Sequence, residues 1–301
     1  MKDISIIIPF KNSIRTLPRL FNSIPDNDNI EIILVENSDI PLTKQQIGID
    51  RDYKLLNAAS QRYAGGARNV GIEASTGKWL IFADSDDFFS PDAFSIISNY
   101  LDSPFDLIYF GCDSVFDDTM QPSDRHKIFN GIVKDLSTGK YPEIRAKLYH
   151  VVPWAKMIRR NLIIENNIRF DEVIASNDIY FSTLCAYYSQ KFSYNTAQIY
   201  IVTTRKGSLA YKWNKDILNA RFMVALRRNK FLKTHNLGQY QVSVMQYFYK
   251  AAQIQPILIL KFLYNSFQYK QNIFIGISNW LRTSNNIRKQ EKKENKYIEY
   301  K

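Results

Sequence analysis

Hydrophobic positions in the first 110 residues follow two rhythms. Ile4–Ile8, Ile30–Val35, Tyr53–Leu56, Trp79–Ala83 and Phe105–Phe110 are short runs rich in β-branched and aromatic residues, the pattern of strands buried on both faces. Between them lie helical stretches. Leu17–Ile24 is one, Ala67–Ser75 is a second that stops at Gly77, and a third opens with Ser90 as N-cap and Pro91 in the first helical position. Strands alternating with helices predict a mostly parallel sheet with right-handed crossovers, and ligands of such sheets bind beyond the carboxyl ends of the strands. Residues 111–142 are polar and turn-rich and read as a long loop or small insertion. Helical spacing resumes over 143–149, 156–166 and 178–190, and from Gly207-Ser208 onward the pattern is almost wholly helical. No internal repeat is visible, and the charge-dense tail 288–301 is expected to fray.

The length of 301 residues suits one catalytic-size domain, 1–210, with a helical appendage, 211–301. Apolar residues at 45% and charged residues at 23% exclude a wholly disordered chain. The net charge of +11 is unevenly placed: residues 205–301 hold 19 basic and 4 acidic side chains, residues 1–204 hold 21 and 25. A mildly acidic body therefore carries a basic C-terminal third. Two cysteines, Cys112 and Cys185, argue against a disulfide framework and read as small buried hydrophobes in a reducing compartment. Three scattered histidines make a His-rich zinc site a poor expectation, and His126 and His150 read as surface or loop residues. Asp3 precedes the first apolar run with no small-residue cleavage site after it, and no apolar stretch reaches the ~18–20 residues of a membrane span. The expectation is a cytoplasmic protein.

Candidate chemistry sits at three strand ends: Pro9-Phe10-Lys11-Asn12, Glu36-Asn37-Ser38-Asp39 and Asp84-Ser85-Asp86-Asp87. The last is the strongest. Three carboxylates within four residues repel one another unless a cation is shared, and hard oxygen ligands suit Mg²⁺ or Mn²⁺. A solvated acidic turn capping the next helix is the competing reading, with Asp87 free to cap or orient. Upstream, Gly65-Gly66 permits close backbone approach, a new helix offers free N–H groups, and Arg68 brings a fixed cation. Together they suit the anionic part of a nucleotide, or Arg68 pairs with one of the aspartates; the two are compatible.

The ordered set Ser5–Phe10, Ile32–Ser38, Ala67–Gly77 and Ile81–Asp87 resembles the family 2 inverting glycosyltransferases of the bacterial surface-polysaccharide type. The resemblance continues through Val152–Arg160, Phe170–Glu172, Ser176–Phe181 and Arg205–Leu209, so it covers about residues 1–210. It implies an α/β GT-A fold, a Rossmann-like mixed sheet flanked by helices, followed here by a helical C-terminal region. It also implies a UDP-sugar donor: Pro9 and Phe10 line base and ribose, Glu36 sits at the uracil edge, Arg68 lies near the donor phosphates, Asp84 and Ser85 touch the nucleoside side, and Asp86 holds Mn²⁺ or Mg²⁺. Asp178 matches the catalytic base. Two departures stand out. Glu36-Asn37-Ser38 replaces the more usual Asp-Asp-Gly-Ser, and Asn177-Asp178 replaces Glu-Asp, which removes a like charge beside the base. The bland reading of Asp178 is a helix-start residue favoured by the macrodipole. Trp154 reads either as a sugar-stacking face or as a core indole.

The implied activity is transfer of a hexose or N-acetylhexosamine to a glycan or lipid-linked glycan acceptor, in capsule or lipopolysaccharide synthesis. A non-catalytic sugar-nucleotide-binding or membrane-scaffold protein is the alternative. A nucleotidyltransferase is disfavoured because Pro9-Phe10, not a glycine-rich loop, follows the first strand. Residues 251–282 interleave aromatic and aliphatic residues with Lys261, Lys270 and Arg282 and contain no acid. That composition fits a peripheral contact with an anionic membrane surface, packing on the body, or packing on a second copy in a homo-oligomer. Nucleic acid is disfavoured, since no nucleic-acid module accompanies the positive charge.

Overall fold

The structure, a computed structural model, describes residues 2–205, 207–209, 212–277 and 281. The chain divides into two compact units, Met1–Val173 with Asn177–Arg205, and Ile174–Ser176 with Lys206–Lys301. The tail 288–301 lies outside the described residues.

In the first unit, strands β1 (Ile4–Phe10), β2 (Ile30–Glu36), β3 (Lys54–Asn57), β4 (Trp79–Phe82), β5 (Phe88–Phe89), β6 (Leu107–Phe116), β7 (Lys156–Arg159) and β8 (Phe192–Thr204) form one sheet. Their order is β3-β2-β1-β4-β7-β6-β8-β5. The first four are mutually parallel, and β7 runs antiparallel to both β4 and β6, which makes the sheet mixed. Register puts Phe10, Glu36 and Asn57 side by side, so the ends of β1, β2 and β3 share one edge. Alternation along β1 explains the sheet's two cores. Ile4, Ile6, Ile8 and Phe10 face one apolar cluster, Ile7 faces the other with Ile33, Val35 and Phe82, and burial on both sides selects the unbroken apolar runs.

The helices are α1 (Leu17–Asn22), α2 (Lys44–Ile47), α3 (Tyr63–Ala74), α4 (Ala93–Ser98), α5 (Lys127–Ser137), α6 (Glu143–Tyr149), α7 (Arg160–Glu165) and α8 (Ile179–Tyr188). Three expectations are corrected. Residues 111–142 are not one loop: β6 continues through Phe116 past a bulge at Gly111, where a Cβ would lie 2.5 Å from the Thr196 carbonyl oxygen, and α5 follows. Residues 156–166 begin as a strand, because Lys156–Arg159 fills the gap between β4 and β6, and only then turn helical. The helix expected from Ala67 starts at Tyr63, so Gly65 and Gly66 lie in its first turn. Both cysteines are buried free thiols, and burial pushes each up to about 12.

The second unit contains α9 (Lys215–Thr234), capped by the Asn214 side chain on Ile217 N–H at 2.9 Å, then α10 (Met245–Ile254) and α11 (Leu258–Gln268). Leu218, Phe222, Leu226, Tyr247, Ala251, Leu258 and Phe262 form its core, with Phe222 and Phe262 stacked at 3.9 Å. Among the described residues, no helix is long and apolar enough to cross a membrane.

Candidate active site

The Asp84–Asp87 turn leaves β4 at the shared edge and is fixed largely through its backbone. The Asp84 N–H donates to the Tyr200 hydroxyl at 2.8 Å. Thr16 Oγ1 donates to the Ser85 carbonyl at 2.8 Å, and the Ser13 and Ser85 hydroxyls are 2.7 Å apart. The Asp86 carbonyl accepts from Arg19 Nη2 at 2.6 Å and from Thr203 Oγ1 at 3.0 Å. With the backbone bonds made, the Asp84 and Asp86 side chains are left half-buried at the edge.

The three carboxylates separate by role. Asp87 is buried and turns inward, accepting from Thr203 N–H at 2.7 Å, so it braces the turn against β8. Burial and the neighbouring Asp86 and Asp84 push its pKa well up. Asp86 pairs with Arg205 at 3.0 Å through Oδ2, and burial, then Asp84, raise its pKa. Asp84 pairs with Arg68 at 2.5 Å. Among the described residues, no group of three or more His, Cys, Asp or Glu converges as a metal cage. The donor set still fits a divalent ion held by one or two carboxylates with phosphate oxygens completing its shell: Asp86 is a hard ligand pressed by Asp84, and an added positive charge relieves that repulsion.

Arg68 is the central strut. It is buried in α3, lies 5.2 Å from the Phe170 ring centroid, and donates through Nη2 to Asp84 and through Nη1 to Asn177 Oδ1 at 2.8 Å. The next residue, Asn69, grips the same segment: its Nδ2 donates to the Phe170 carbonyl at 3.0 Å and its Oδ1 accepts the Phe170 N–H at 2.8 Å. Asp171 N–H then donates to the Asn177 carbonyl at 3.1 Å. Gly65 serves this approach, since a Cβ there would lie 2.0 Å from the Asp171 carbonyl oxygen, whereas a Cβ on Gly66 would meet the Arg62 side chain at 2.3 Å. The neighbour that Gly65 admits is thus this backbone.

Asp178, directly after Asn177, stands at the N-cap of α8, yet its side chain makes no capping hydrogen bond. Phe181, one turn on, stacks at 3.7 Å on Phe170 and meets Phe82 of β4 edge-on at 5.5 Å, which ties α8 to the strand carrying the aspartates. Burial raises the Asp178 pKa; Arg68 pulls it down, Asp84 adds to the rise, and Lys156 pulls it down. A half-buried carboxylate with an elevated pKa and no capping duty can accept a proton.

Other expected residues take different places. The Phe10 ring is fully enclosed in the core, because its strand position faces that side, so it offers no surface to a base. Glu36 is also closed off; Oε1 accepts the Ser38 N–H at 2.9 Å, while Oε2 has no hydrogen-bond partner among the described residues. Trp154 is a core indole, stacked 5.7 Å from Tyr200, and it braces the hydroxyl that receives Asp84 N–H. His150 is buried among Tyr109, Phe129 and Trp154, and burial drives its pKa well down; His126 bonds to Ser114. Lys156, buried beneath Tyr109, donates to the His150 carbonyl at 2.5 Å, and burial lowers its pKa to about 7 against the pull of Cys185 and Asp178. Sequence reading missed β8, which supplies Tyr200 and Thr203. The β-branched run through Ile199–Thr204 was the available signal.

Residues 5–166 match the family described as Glycosyl transferase family 2. EpsH of Bacillus subtilis, named as a glycosyltransferase, is 24% identical over 223 residues, covering 69% of this chain and 62% of EpsH. YibD of Escherichia coli, likewise named, is 25% identical over 246 residues, covering 75% and 69%. The crystal structure of S. aureus TarS 1–349 in complex with UDP-GlcNAc superposes with a TM-score of 0.58 at 17% identity, covering 82% of this chain and 75% of that one. That likeness is one of fold: the same mixed sheet flanked by helices.

Proposed function

The chain belongs to glycosyl transferase family 2, and from that premise we propose that it moves a hexose or N-acetylhexosamine from a UDP-sugar to a glycan or lipid-linked glycan acceptor with inversion at the anomeric carbon. The observation that carries the proposal is the Arg68 strut, which ties the Asp84–Asp86 turn to Asn177 and thereby sets Asp178 in one framework with it. The UDP-GlcNAc complex of a protein of the same fold supports the donor class. The acceptor belongs to surface polysaccharide, capsule or lipopolysaccharide, and the enzyme works at the cytoplasmic face of the membrane as a peripheral protein. Residues 1–210 act as the catalytic domain and 211–301 as an acceptor-side or membrane-side region.

The acceptor hydroxyl attacks the anomeric carbon from the face opposite the diphosphate. The new C–O bond forms as the bond to the β-phosphate oxygen breaks, UDP departs with that electron pair, and the hydroxyl proton passes to Asp178. Burial has raised the proton affinity of Asp178 toward this task, while Arg68 keeps it from being protonated too early. No second carboxylate is needed, since no covalent glycosyl intermediate forms. Asp86, with Asp84 beside it, would hold Mn²⁺ or Mg²⁺, and such an ion supplies positive charge to the leaving diphosphate. Arg205 pairs with the Asp86 carboxylate, Ser85 lines the nucleoside side with Pro9, and Glu36, closed off at the end of β2, acts behind the base edge by holding the Ser38 N–H rather than by meeting the uracil itself.

The test is nucleotide release from UDP-, GDP- and CMP-sugars with Mn²⁺ or EDTA, run beside Asp86→Ala and Asp178→Asn. Metal-dependent release from one UDP-sugar, abolished by Asp86→Ala and reduced at least about a hundredfold by Asp178→Asn, is the expected result. Donor binding without turnover in the presence of any glycan acceptor would move the chain to the non-catalytic class.

A further inference from the structure

Helix α11 carries apolar residues on two opposite sides. Leu258, Phe262 and Ser266 point inward and are buried, the first two in the core of the second unit. Leu260, Leu263, Tyr264 and Phe267, spaced i, i+3, i+4, i+7, line the other side and stay exposed, Leu260 at 64%, Tyr264 at 63% and Phe267 at 80%. Ile257, 61% exposed, extends the ridge at its start. A helix of a water-soluble subdomain places polar residues there, so a contiguous apolar ridge marks a contact surface.

Charge identifies what it contacts. From Ile217 to Gln290 the sequence has no acidic residue and eleven basic ones. Lys261 is exposed within α11 and Lys270 is exposed just after it. A symmetric pairing of two copies through this face would bring the same lysines together with no acid to offset them. A bilayer carrying anionic headgroups meets both needs at once, receiving the apolar side chains at the acyl boundary and neutralising the lysines.

We propose that the Ile257–Phe267 ridge is a monolayer-inserting surface for anionic lipid. This deepens the peripheral location given above and rests on it, but not on the transfer chemistry. It also gives the acceptor class a physical ground, because a chain resting on lipid meets lipid-linked glycans in two dimensions.

The experiment is co-sedimentation of the full chain with phosphatidylglycerol–phosphatidylcholine vesicles and with pure phosphatidylcholine vesicles, while nucleotide release is followed on the same samples. Wild type is expected to partition at least about tenfold more strongly to the anionic vesicles, with a preference that shrinks at 0.5 M salt. Leu263→Ser/Phe267→Ser is expected to lose at least about tenfold in partition with nucleotide release unchanged. Phe267→Trp should show an emission blue shift on anionic vesicles. Wild type that releases nucleotide but ignores both vesicles overturns the ridge and leaves the transfer reading standing; vesicle binding without donor turnover does the reverse. Anionic binding that survives Leu263→Ser/Phe267→Ser overturns the proposal too, because basic charge alone then carries it. So does a wild-type dimer that the same substitutions split into monomers.

Discussion

Arg68 Nη1 reaches Asn177 Oδ1 at 2.8 Å, across 109 residues of sequence, and the residue so held is the one before Asp178. The other end of the same guanidinium holds Asp84. One planar, doubly donating group therefore spans the acidic turn and the start of α8, a task a point charge such as Lys cannot duplicate.

Arg68→Lys should therefore lower kcat for sugar transfer by about 10- to 100-fold while the donor KM changes far less, since the variant keeps the charge but loses one of two directed bonds. Steady-state kinetics on the best UDP-sugar checks this. A KM effect with kcat intact would assign Arg68 to donor binding alone.

The pH profile should carry the mark of Asp178. The proposed role of Asp178 as base requires its deprotonated form, so kcat/KM should rise with pH along an acidic limb whose midpoint lies above the ordinary aspartate value of about 3.9, because burial raises this pKa. Asn177→Asp adds a negative charge next to Asp178 and diverts Arg68 to it. Both effects raise the Asp178 pKa further, so the limb should move to higher pH.

Gly65→Ala should destabilise the first unit by about 1–3 kcal/mol. The added Cβ lies 2.0 Å from a backbone carbonyl oxygen, not from a flexible side chain, so α3 or the 170–177 segment must move. Chemical denaturation gives the stability, and donor turnover should fall with it because the moved segment carries Asn177. Gly131→Ala, inside α5 with open space around its Cβ, is the control and should instead stabilise by about 0.5–1 kcal/mol.

Glu31 links stability to acid. Burial alone would raise its pKa, but hydrogen bonds from Lys54, Ser5 and Thr76 outweigh burial and hold it at about 2. A folded pKa below the unfolded one stabilises the protein above about pH 4.5 and loses that contribution as pH falls toward 2. Glu31→Gln should remove about 1–2 kcal/mol at pH 7 and flatten the dependence between pH 5 and pH 3, readable from urea midpoints.

Much of this architecture was legible in the chain because parallel strands buried on both faces must be apolar throughout. β1, β2 and β4 are such strands, and their boundaries in the structure fall within two residues of the apolar runs. The loss came where composition carries two meanings. Lys156-Met157-Ile158-Arg159 has charged ends and reads as helix, yet pairing on both sides makes it β7, and the buried Lys156 Nζ donates to the His150 carbonyl. At the site, residue types pointed to the edge but not to what each side chain does there. Phe10, Trp154 and Asp87 are all aromatic or acidic residues near the edge, and all three face inward. Only sheet geometry decides that, and it needs β8, whose polar first half hides its pairing.

Some of the bonds that fix the Asp84–Asp87 turn come from earlier residues, but others reach across the chain to Tyr200 and Thr203, more than a hundred residues later. During synthesis, β1 to β4 can assemble while the acidic turn still lacks its far anchors. Thr16, Arg19 and Arg68 can already hold Ser85, the Asp86 carbonyl and Asp84, but Asp87 has no Thr203 to turn toward and its repulsion with Asp86 is unrelieved. The last part of the order at this turn, the inward seat of Asp87, therefore arrives only after residue 204 has left the ribosome and β8 has docked beside β6, at the loop-closure cost that such a distance imposes. A nascent or truncated chain can carry the whole acidic motif and still lack its ordered form.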